Sequence, residues 1–590
     1  MPPNVHRNIA HTVAAHSEAP LMARPPHQIM EGWQRQRLRV LQFGGMVLLA
    51  IAIALVYWPG LRGFWVRDDF FVVAYMRLVD KPLAFFVNDH FPTPGAIFRP
   101  LGYASMWITQ ALFGAEYRAQ SLVDLGLHIA VAVALFRVIN LVLRSRNLAL
   151  LCTLAFAIHP AVISTVLVWT NRFDVLAALF CLLALRAAYD WLDDRRPVML
   201  AATLMFALAA MASKEVGIAV LAPVFLLWLG AAIHEPRDAG VKKAMLSLLA
   251  TTLVYVAWRW TVLGTPASNL AGGTPLAELV GKGIYKWLDY SPDYLSFWPR
   301  LESWQRGVLT GAALTFTVVF GFAWRRSQAG PWHDRRGELL LSALAISSSP
   351  ILLQAPVAAL NAAPLSAGIS AVEVAMQSRL YYLSTVGATL FLAVVLGAAW
   401  DTLEAYKPRL RAAVVLPLVL MIATFGSAAY RTTTDYGVRS REIGLLAHAA
   451  VASIAGVNLP EQDCHVYFLD IQPPPEWSIY VSMDAVVKAL APDLHRVQDC
   501  LFHNEYPTFF YFAPHGHLDP RKSLPFRPLE MNGVIVPWLH VGGLDIAYLS
   551  APPKVDRDNA GNGMFFSYEQ GQFRDVTSEI TAGRREVHLQ

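Results

Sequence analysis

Long apolar runs, each near the roughly 20 residues needed to cross a bilayer, dominate this sequence and leave few ways to fold it. They lie at Leu41–Trp58, Arg118–Leu143, Leu148–Val168, Phe173–Trp191, Val198–Ala212, Val216–Gly230, Ala244–Leu263, Gly307–Trp324, Glu338–Leu353, Leu380–Trp400 and Ala412–Tyr430. Of the 590 residues, 55% are hydrophobic and only 15% charged. A soluble domain carries about 25% charged residues, so this chain lacks the polar surface to coat one water-soluble globule. An ordinary cytosolic enzyme is excluded, and so is disorder throughout, whose signature is the reverse. The expected class is a mainly α polytopic membrane protein of about eleven spans, followed by a C-terminal α+β domain outside the cytoplasm.

The formal net charge of +5 does not call for nucleic acid, because the cations gather in short loops. Arg144 and Arg146, Arg195 and Arg196, Arg237 with Lys242 and Lys243, Arg325 with Arg326, Arg335 and Arg336, and Lys407 with Arg409 and Arg411 all fall on one side. Cations favour the cytoplasmic side, so the N-terminus is expected inside and the C-terminus outside. Residues 1–34 read as a disordered cytoplasmic tail, 35–430 as the membrane domain with a first outer loop at 59–116, and 431–590 as an extracytoplasmic domain. Within the loop, the stretches around Asp69–Phe86 and Phe98–Phe113 read as amphipathic helices lying in the interface. In the last domain, His465–Ile471, Pro507–Ala513, Gly533–His540 and Leu544–Leu549 read as strands and Val481–Leu490 as a helix. Cys464 and Cys500 share that domain, where an oxidising compartment permits either a disulfide or two buried thiols.

Ionisable groups beside apolar runs carry the functional information, since a charge at the bilayer centre costs about 2.5–3.5 kcal/mol on insertion scales. Arg137, Arg186 and Asp190 lie near cytoplasmic ends, where long side chains snorkel. Another set lies at outer ends: Asp68, Asp69, Arg99, His159, Arg172, Asp174, Lys214, Glu215 and Arg379. Each alone reads as an anchor or a structural ion pair. Together they describe a site at one face that handles an anionic, membrane-anchored group, with a carboxylate as base and cations for a leaving phosphate.

The order of these tracts resembles a known class. Trp65-Val-Arg-Asp68-Asp69, Phe98-Arg99-Pro100, His128, His159-Pro160, Asn171-Arg172-Phe173-Asp174, Ser213-Lys214-Glu215 and Ser378-Arg379-Leu380-Tyr381-Tyr382 follow the pattern of GT-C glycosyltransferases. They are most similar to the transmembrane O-mannosyltransferases that carry TPR repeats and to their bacterial relatives. The resemblance implies a GT-C-like membrane domain, a polyprenyl-phosphate sugar as donor, a protein or glycan acceptor outside the cytoplasm, and residence in a bacterial inner membrane. It implies catalytic roles for Asp68 and Asp69, with Asp68 as base. It further implies a donor-binding set of Arg379, Lys214, Arg172, Tyr381 and Tyr382. Near Ser164–Thr165 the family's usual Glu is missing, and no TPR array follows, which leaves the acceptor open. No histidine spacing suits a metal, and no cofactor is expected. A transporter or flippase of lipid-linked glycan, or an assembly factor with a vestigial site, remains the competing reading.

Overall fold

The computed structural model describes residues 43–66, 68–88, 97–143, 145–264, 340, 342–346, 381–406, 408–461, 464–471, 482–494, 496–504, 509–514, 530–531, 534–535, 539–541, 544–549 and 563–585. An apolar helix, α1 (Phe43–Tyr57), leads into the first loop. The loop holds α2 (Asp68–Leu78), a 3₁₀ turn at Pro82–Phe86 and α3 (Pro100–Phe113). Then come α4 (Tyr117–Val142), α5 (Arg146–Ala157), α6 (Ile163–Leu167), α7 (Arg172–Asp194), α8 (Pro197–Ser213), α9 (Leu221–His234) and α10 (Ala239–Leu263). After the undescribed stretch, α11 (Tyr382–Tyr406) and α12 (Ala412–Ala455) complete the helical part. Among the described residues six helices are long and apolar enough to cross a membrane, or seven if the bent α5–α6 pair is one span. The protein is therefore a multi-pass membrane protein of the mainly α class. The expected runs at 307–324 and 338–353 lie outside the described residues, apart from a short helical piece at 342–346.

Two expectations are corrected. The run Leu148–Val168 is not one straight span, because α5 stops at Ala157 and the chain bends by 54° before Pro160–Leu167. His159 is extended there, at φ −66° and ψ 129°. A residue before proline is steered out of helical geometry, and Pro160 has no N–H to continue the ladder. The second correction concerns α2, which was expected to lie in the interface with one face on lipid. Instead, eight consecutive residues, Asp69 to Met76, are buried. A helix apolar on every side is a core helix, and α2 is covered from several directions.

Helix α12 runs unbroken for 44 residues, through the expected boundary at residue 430, and carries the chain into an α/β region. There the four-stranded sheet has the order β2-β1-β8-β9, built from β1 (His465–Leu469), β2 (Leu501–Asn504), β8 (Met564–Glu569) and β9 (Gln572–Asp575). Strand β1 is parallel to both neighbours, with Val466 opposite Phe502 and Met564. A second, antiparallel sheet has the order β3-β7-β6, from β3 (Phe509–Pro514), β6 (Leu539–Val541) and β7 (Leu544–Leu549). Strands β4 (Glu530–Met531) and β5 (Val534–Ile535) form a small hairpin. Helix α13 (Met483–Leu490) packs on β2 and β3, and α14 (Thr577–Thr581) on β8. Strands β2, β4, β8 and β9 were not predicted from the sequence.

Cys464 and Cys500 form a disulfide, with Cα atoms 4.6 Å apart and a sequence separation of 36. Cys464→Ser with Cys500→Ser should destabilise the α/β region by about 3–4 kcal/mol in the chain-entropy picture. Denaturant unfolding of the full-length protein with and without reductant checks this; coincident midpoints would contradict it.

Candidate active site

The first loop is fastened to the bundle through aromatic rings. Trp65 packs on Trp169 and edge-on to Tyr117, with centroids 5.3 and 5.2 Å away, and its indole N–H donates to the Ala115 carbonyl at 3.2 Å. The Tyr117 hydroxyl donates to the Gly60 carbonyl at 3.1 Å. Four residues after Trp65, Asp69 is fully buried. Its Oδ2 accepts the Val66 N–H at 3.3 Å, closing the start of α2, and its Oδ1 accepts the Thr170 N–H at 3.0 Å. That second bond joins the start of α2 to the turn that opens α7. Burial pushes the Asp69 carboxyl up to about 7, against the lowering effect of the two amides. Asp68, the first residue of α2, is half-buried.

Arg172 occupies the first position of α7 and is fully buried. Its Nε pairs with Asp124 of α4 at 2.5 Å, one Nη donates to Thr109 Oγ1 at 2.6 Å, and the other to Gln120 Oε1 at 3.2 Å. Its guanidinium also lies 5.7 Å from the centroid of the Trp169 ring. The donors of the guanidinium are thus spent on α3 and α4, and Asp69 makes its bonds to backbone instead. Asp124 was missed in the sequence, although Gln120, Asp124 and His128 recur every fourth residue on a mostly apolar helix. Such a polar stripe is a readable signal of buried partners.

Two residues further along α7, both oxygens of Asp174 receive Lys214 Nζ at 2.7 Å. Glu215 captures the Phe98–Arg99 tract: Oε2 accepts Arg99 Nε at 2.8 Å and Oε1 accepts the Phe98 N–H at 3.1 Å. Arg99 lies over the Phe173 ring at 5.1 Å. A third cation, Arg259 on α10, approaches Glu215 to 3.9 Å and is buried. It was not among the residues singled out in the sequence. The tight turn between α8 and the 3₁₀ segment Glu215–Val220 holds Lys214 and Glu215 in place. A Cβ at Gly217 would sit 1.9 Å from the Ala210 carbonyl oxygen, so the turn closes only on glycine. The outcome is three cations, Arg99, Lys214 and Arg259, around two carboxylates, Asp174 and Glu215.

The remaining predicted residues stand apart from this cluster. His159 Nδ1 accepts the Ala161 N–H at 3.0 Å and its ring meets Phe425 edge-on at 4.4 Å, so it caps the bend after α5. Tyr382 is fully buried and its hydroxyl is 2.7 Å from His128 Nδ1, while His128 Nε2 is 2.9 Å from the Ala157 carbonyl. A carbonyl only accepts, which assigns the ring proton to Nε2 and makes Tyr382 the donor to Nδ1. Tyr381 is buried beside it, and Arg379 lies outside the described residues. At the position of the family's missing Glu, the Ser164 and Thr165 hydroxyls are buried with no hydrogen-bond partner among the described residues. Among those residues no group of three or more His, Cys, Asp or Glu is placed to hold a metal ion.

A mainly α, multi-pass membrane protein with an acidic pair and a buried charge cluster on one face is what fold and site define. No family model matches the chain. Over 208 residues it is 31% identical to protein O-mannosyl-transferase TMTC1 of Mus musculus, a match covering 32% of this chain and 22% of the relative. The Homo sapiens protein of that name is 30% identical over 198 residues, covering 30% and 22%. This likeness agrees with the resemblance read from the motifs. The matches span about a fifth of those relatives' length. Among solved structures, the Archaeoglobus fulgidus oligosaccharyltransferase tethered with an acceptor peptide aligns at a TM-score of 0.42 and 12% identity, over 76% of this chain and 63% of its own. ArnT from Cupriavidus metallidurans bound to undecaprenyl phosphate aligns at 0.39 and 14%, over 85% and 98%.

Two outcomes follow from this geometry. Gly217→Ala should cost about 1–3 kcal/mol or more, since backbone must move to admit the methyl group. Gly126→Ala, in the interior of α4 where a Cβ meets nothing within 4 Å, is the control expected not to lower the melting temperature. For Asp69, the folded value near 7 lies above the unfolded carboxyl range. Its contribution to stability is therefore full below about pH 4 and is lost as pH rises through about 7. Thermal unfolding between pH 5 and 8 should fall more steeply for wild type than for Asp69→Asn; equal slopes would contradict it.

Proposed function

We propose that this protein is a glycosyltransferase that moves a sugar from a polyprenyl-phosphate donor to an acceptor outside the cytoplasm. The observation that carries the reading is the Asp69–Thr170 bond. It ties the acidic pair to the turn opening α7, and Asp174 with its partner Lys214 follows Thr170 by one helical turn, about 6 Å of rise. A base and a cation-rich cluster on one face suit a reaction that takes a proton at one point and releases a phosphate at another. The likeness to O-mannosyl-transferases supports the same class.

In this mechanism Asp68 accepts the proton of the acceptor hydroxyl as that oxygen attacks the anomeric carbon. The bond from that carbon to the phosphate oxygen breaks, and polyprenyl phosphate leaves with the electron pair. One displacement inverts the anomeric centre, so no covalent sugar intermediate is needed. Burial raises the Asp69 carboxyl toward neutrality, but both its oxygens are held by backbone amides and it is out of reach of solvent. Geometry precedes pKa in choosing a base, and the half-buried Asp68 is the better placed. Asp69 fixes the start of α2. Arg99, Lys214 and Arg259, whose positive charge exceeds that of their two carboxylate partners, stabilise the leaving phosphate. Arg379, Tyr381 and Tyr382 join the donor site by the motif resemblance, whereas Arg172 serves to join α3, α4 and α7.

A transporter would gather its polar groups near mid-bilayer between repeated halves. Here Asp174 opens α7, Lys214 closes α8 and Arg259 lies in the last turns of α10. Sugar transfer by the purified protein from a panel of polyprenyl-phosphate sugars tests the function. Asp68→Asn should lower turnover by about 100-fold or more with donor binding nearly intact. Full turnover in Asp68→Asn alongside an inactive Asp69→Asn would exchange the two roles.

A further inference from the structure

A helix buried on all sides needs a cover, and for α2 part of that cover comes from the far end of the chain. Helix α13 packs against α2, and β3 brings Phe512 onto it. The Phe71 and Phe512 rings stack with centroids 5.6 Å apart at 29°, and Phe71 stacks in turn on Tyr75 at 5.7 Å and 9°. Phe512 and Phe71 are both buried.

What holds Phe512 there is a buried ion pair. Asp484 and Lys488, one turn apart on α13, are bonded at 2.9 and 3.1 Å, and neither is accessible to solvent to any useful degree. Asp484 also accepts the N–H of Phe502 on β2 at 3.1 Å and that of Phe512 on β3 at 2.8 Å. Lys488 Nζ donates to the Phe512 carbonyl. Both main-chain groups of Phe512 are therefore fixed by the pair, and the same carboxylate ties the two sheets together. Charges buried this deeply persist only when fully bonded, and breaking one partner is costly. On its other sides α2 is held by Gln110 Nε2, which donates to the Val73 carbonyl at 2.8 Å, by Trp107 Nε1, which donates to the Val79 carbonyl at 2.6 Å, and by Asp69 at its start.

We infer that the C-terminal α/β region is a positioning element of the transfer site: Asp484 and Lys488 set Phe512 against Phe71, and that stack fixes the axial placement of α2 and so of Asp68 at its head. This rests on the transferase reading for its catalytic consequence, but not for the mechanical link. Phe512, Asp484 and Lys488 touch no reacting group; they act through α2. A misplacement of the base by an ångström lowers turnover far more than it weakens donor binding, because the donor is held elsewhere in the cluster.

The test uses Phe512→Leu and Phe71→Leu in the full-length protein. Phe512→Leu removes the ring while the backbone bonds to Asp484 and Lys488 stay, so the fold is spared the loss of a buried charge partner. Two readouts are taken: steady-state transfer from a polyprenyl-phosphate sugar, and hydrogen exchange of the amides of α2 and α7. Each variant should lower kcat by about tenfold or more while the donor KM stays within about twofold. Amides at 70–78 should exchange faster and those of α7 unchanged, and the double variant should be little worse than either single one. Unchanged exchange in α2, or faster exchange with wild-type kcat, would overturn the positioning role. If the wild type transfers no sugar, the transferase reading fails, and exchange alone decides whether the α/β region holds α2.

Discussion

Charge withdrawn from water has to be neutralised and bonded where it sits, and the loop face of this protein is organised by that requirement. Arg172 meets Asp124, Lys214 meets Asp174, and Arg99 and Arg259 converge on Glu215. Each of these pairs joins separate elements: α4 and α7 in the first case, α7 with the end of α8 in the second, and the first loop with α10 through Glu215 in the third. Apolar packing between spans gives little orientation in lipid, where neighbouring hydrocarbon is as good a partner as another helix. The ion pairs supply the register that packing lacks. Asp69 does the same with its two amide bonds, at the cost of a carboxyl held near neutrality.

The two carboxylates that adjoin in sequence differ because of what surrounds them. Asp69 turns inward from the first turn of α2 and becomes a structural acceptor, while Asp68 stays in partial contact with solvent. Their adjacency makes the second a natural support for the first: whatever fixes Asp69 fixes the peptide that carries Asp68. The α/β region adds a further restraint from the opposite side of α2. In the proposed mechanism, restraint of α2 on two sides suits Asp68 to a reaction whose rate depends on the angle at which a hydroxyl meets an anomeric carbon.

The buried Ser164 and Thr165 hydroxyls, lacking partners among the described residues, mark where this chain departs from the motif pattern it otherwise follows. The segment that bears them, α6, lies just past the bend at Pro160 and leads through Trp169 and Thr170 to Arg172. It is the link between the bent span and the charge cluster.

Apolar run length and cation placement determined by themselves that the chain spans a membrane many times, and helices stand where most of those runs predicted them. The tracts around Asp68, Arg99, Arg172, Lys214 and Tyr382 also announced where charge would matter, because ionisable residues beside apolar runs are costly wherever they occur. Which charge would meet which was decided only by tertiary structure. Pairing distance depends on how helices rotate and cross, and no local pattern encodes that rotation: Arg172 met Asp124 of α4, and Arg259 joined Glu215 from α10. The all-round burial of α2 was equally invisible, since part of its cover is a strand and a helix more than 400 residues further along the chain. Sequence fixes what must leave water; only the assembled fold determines what it meets when it does.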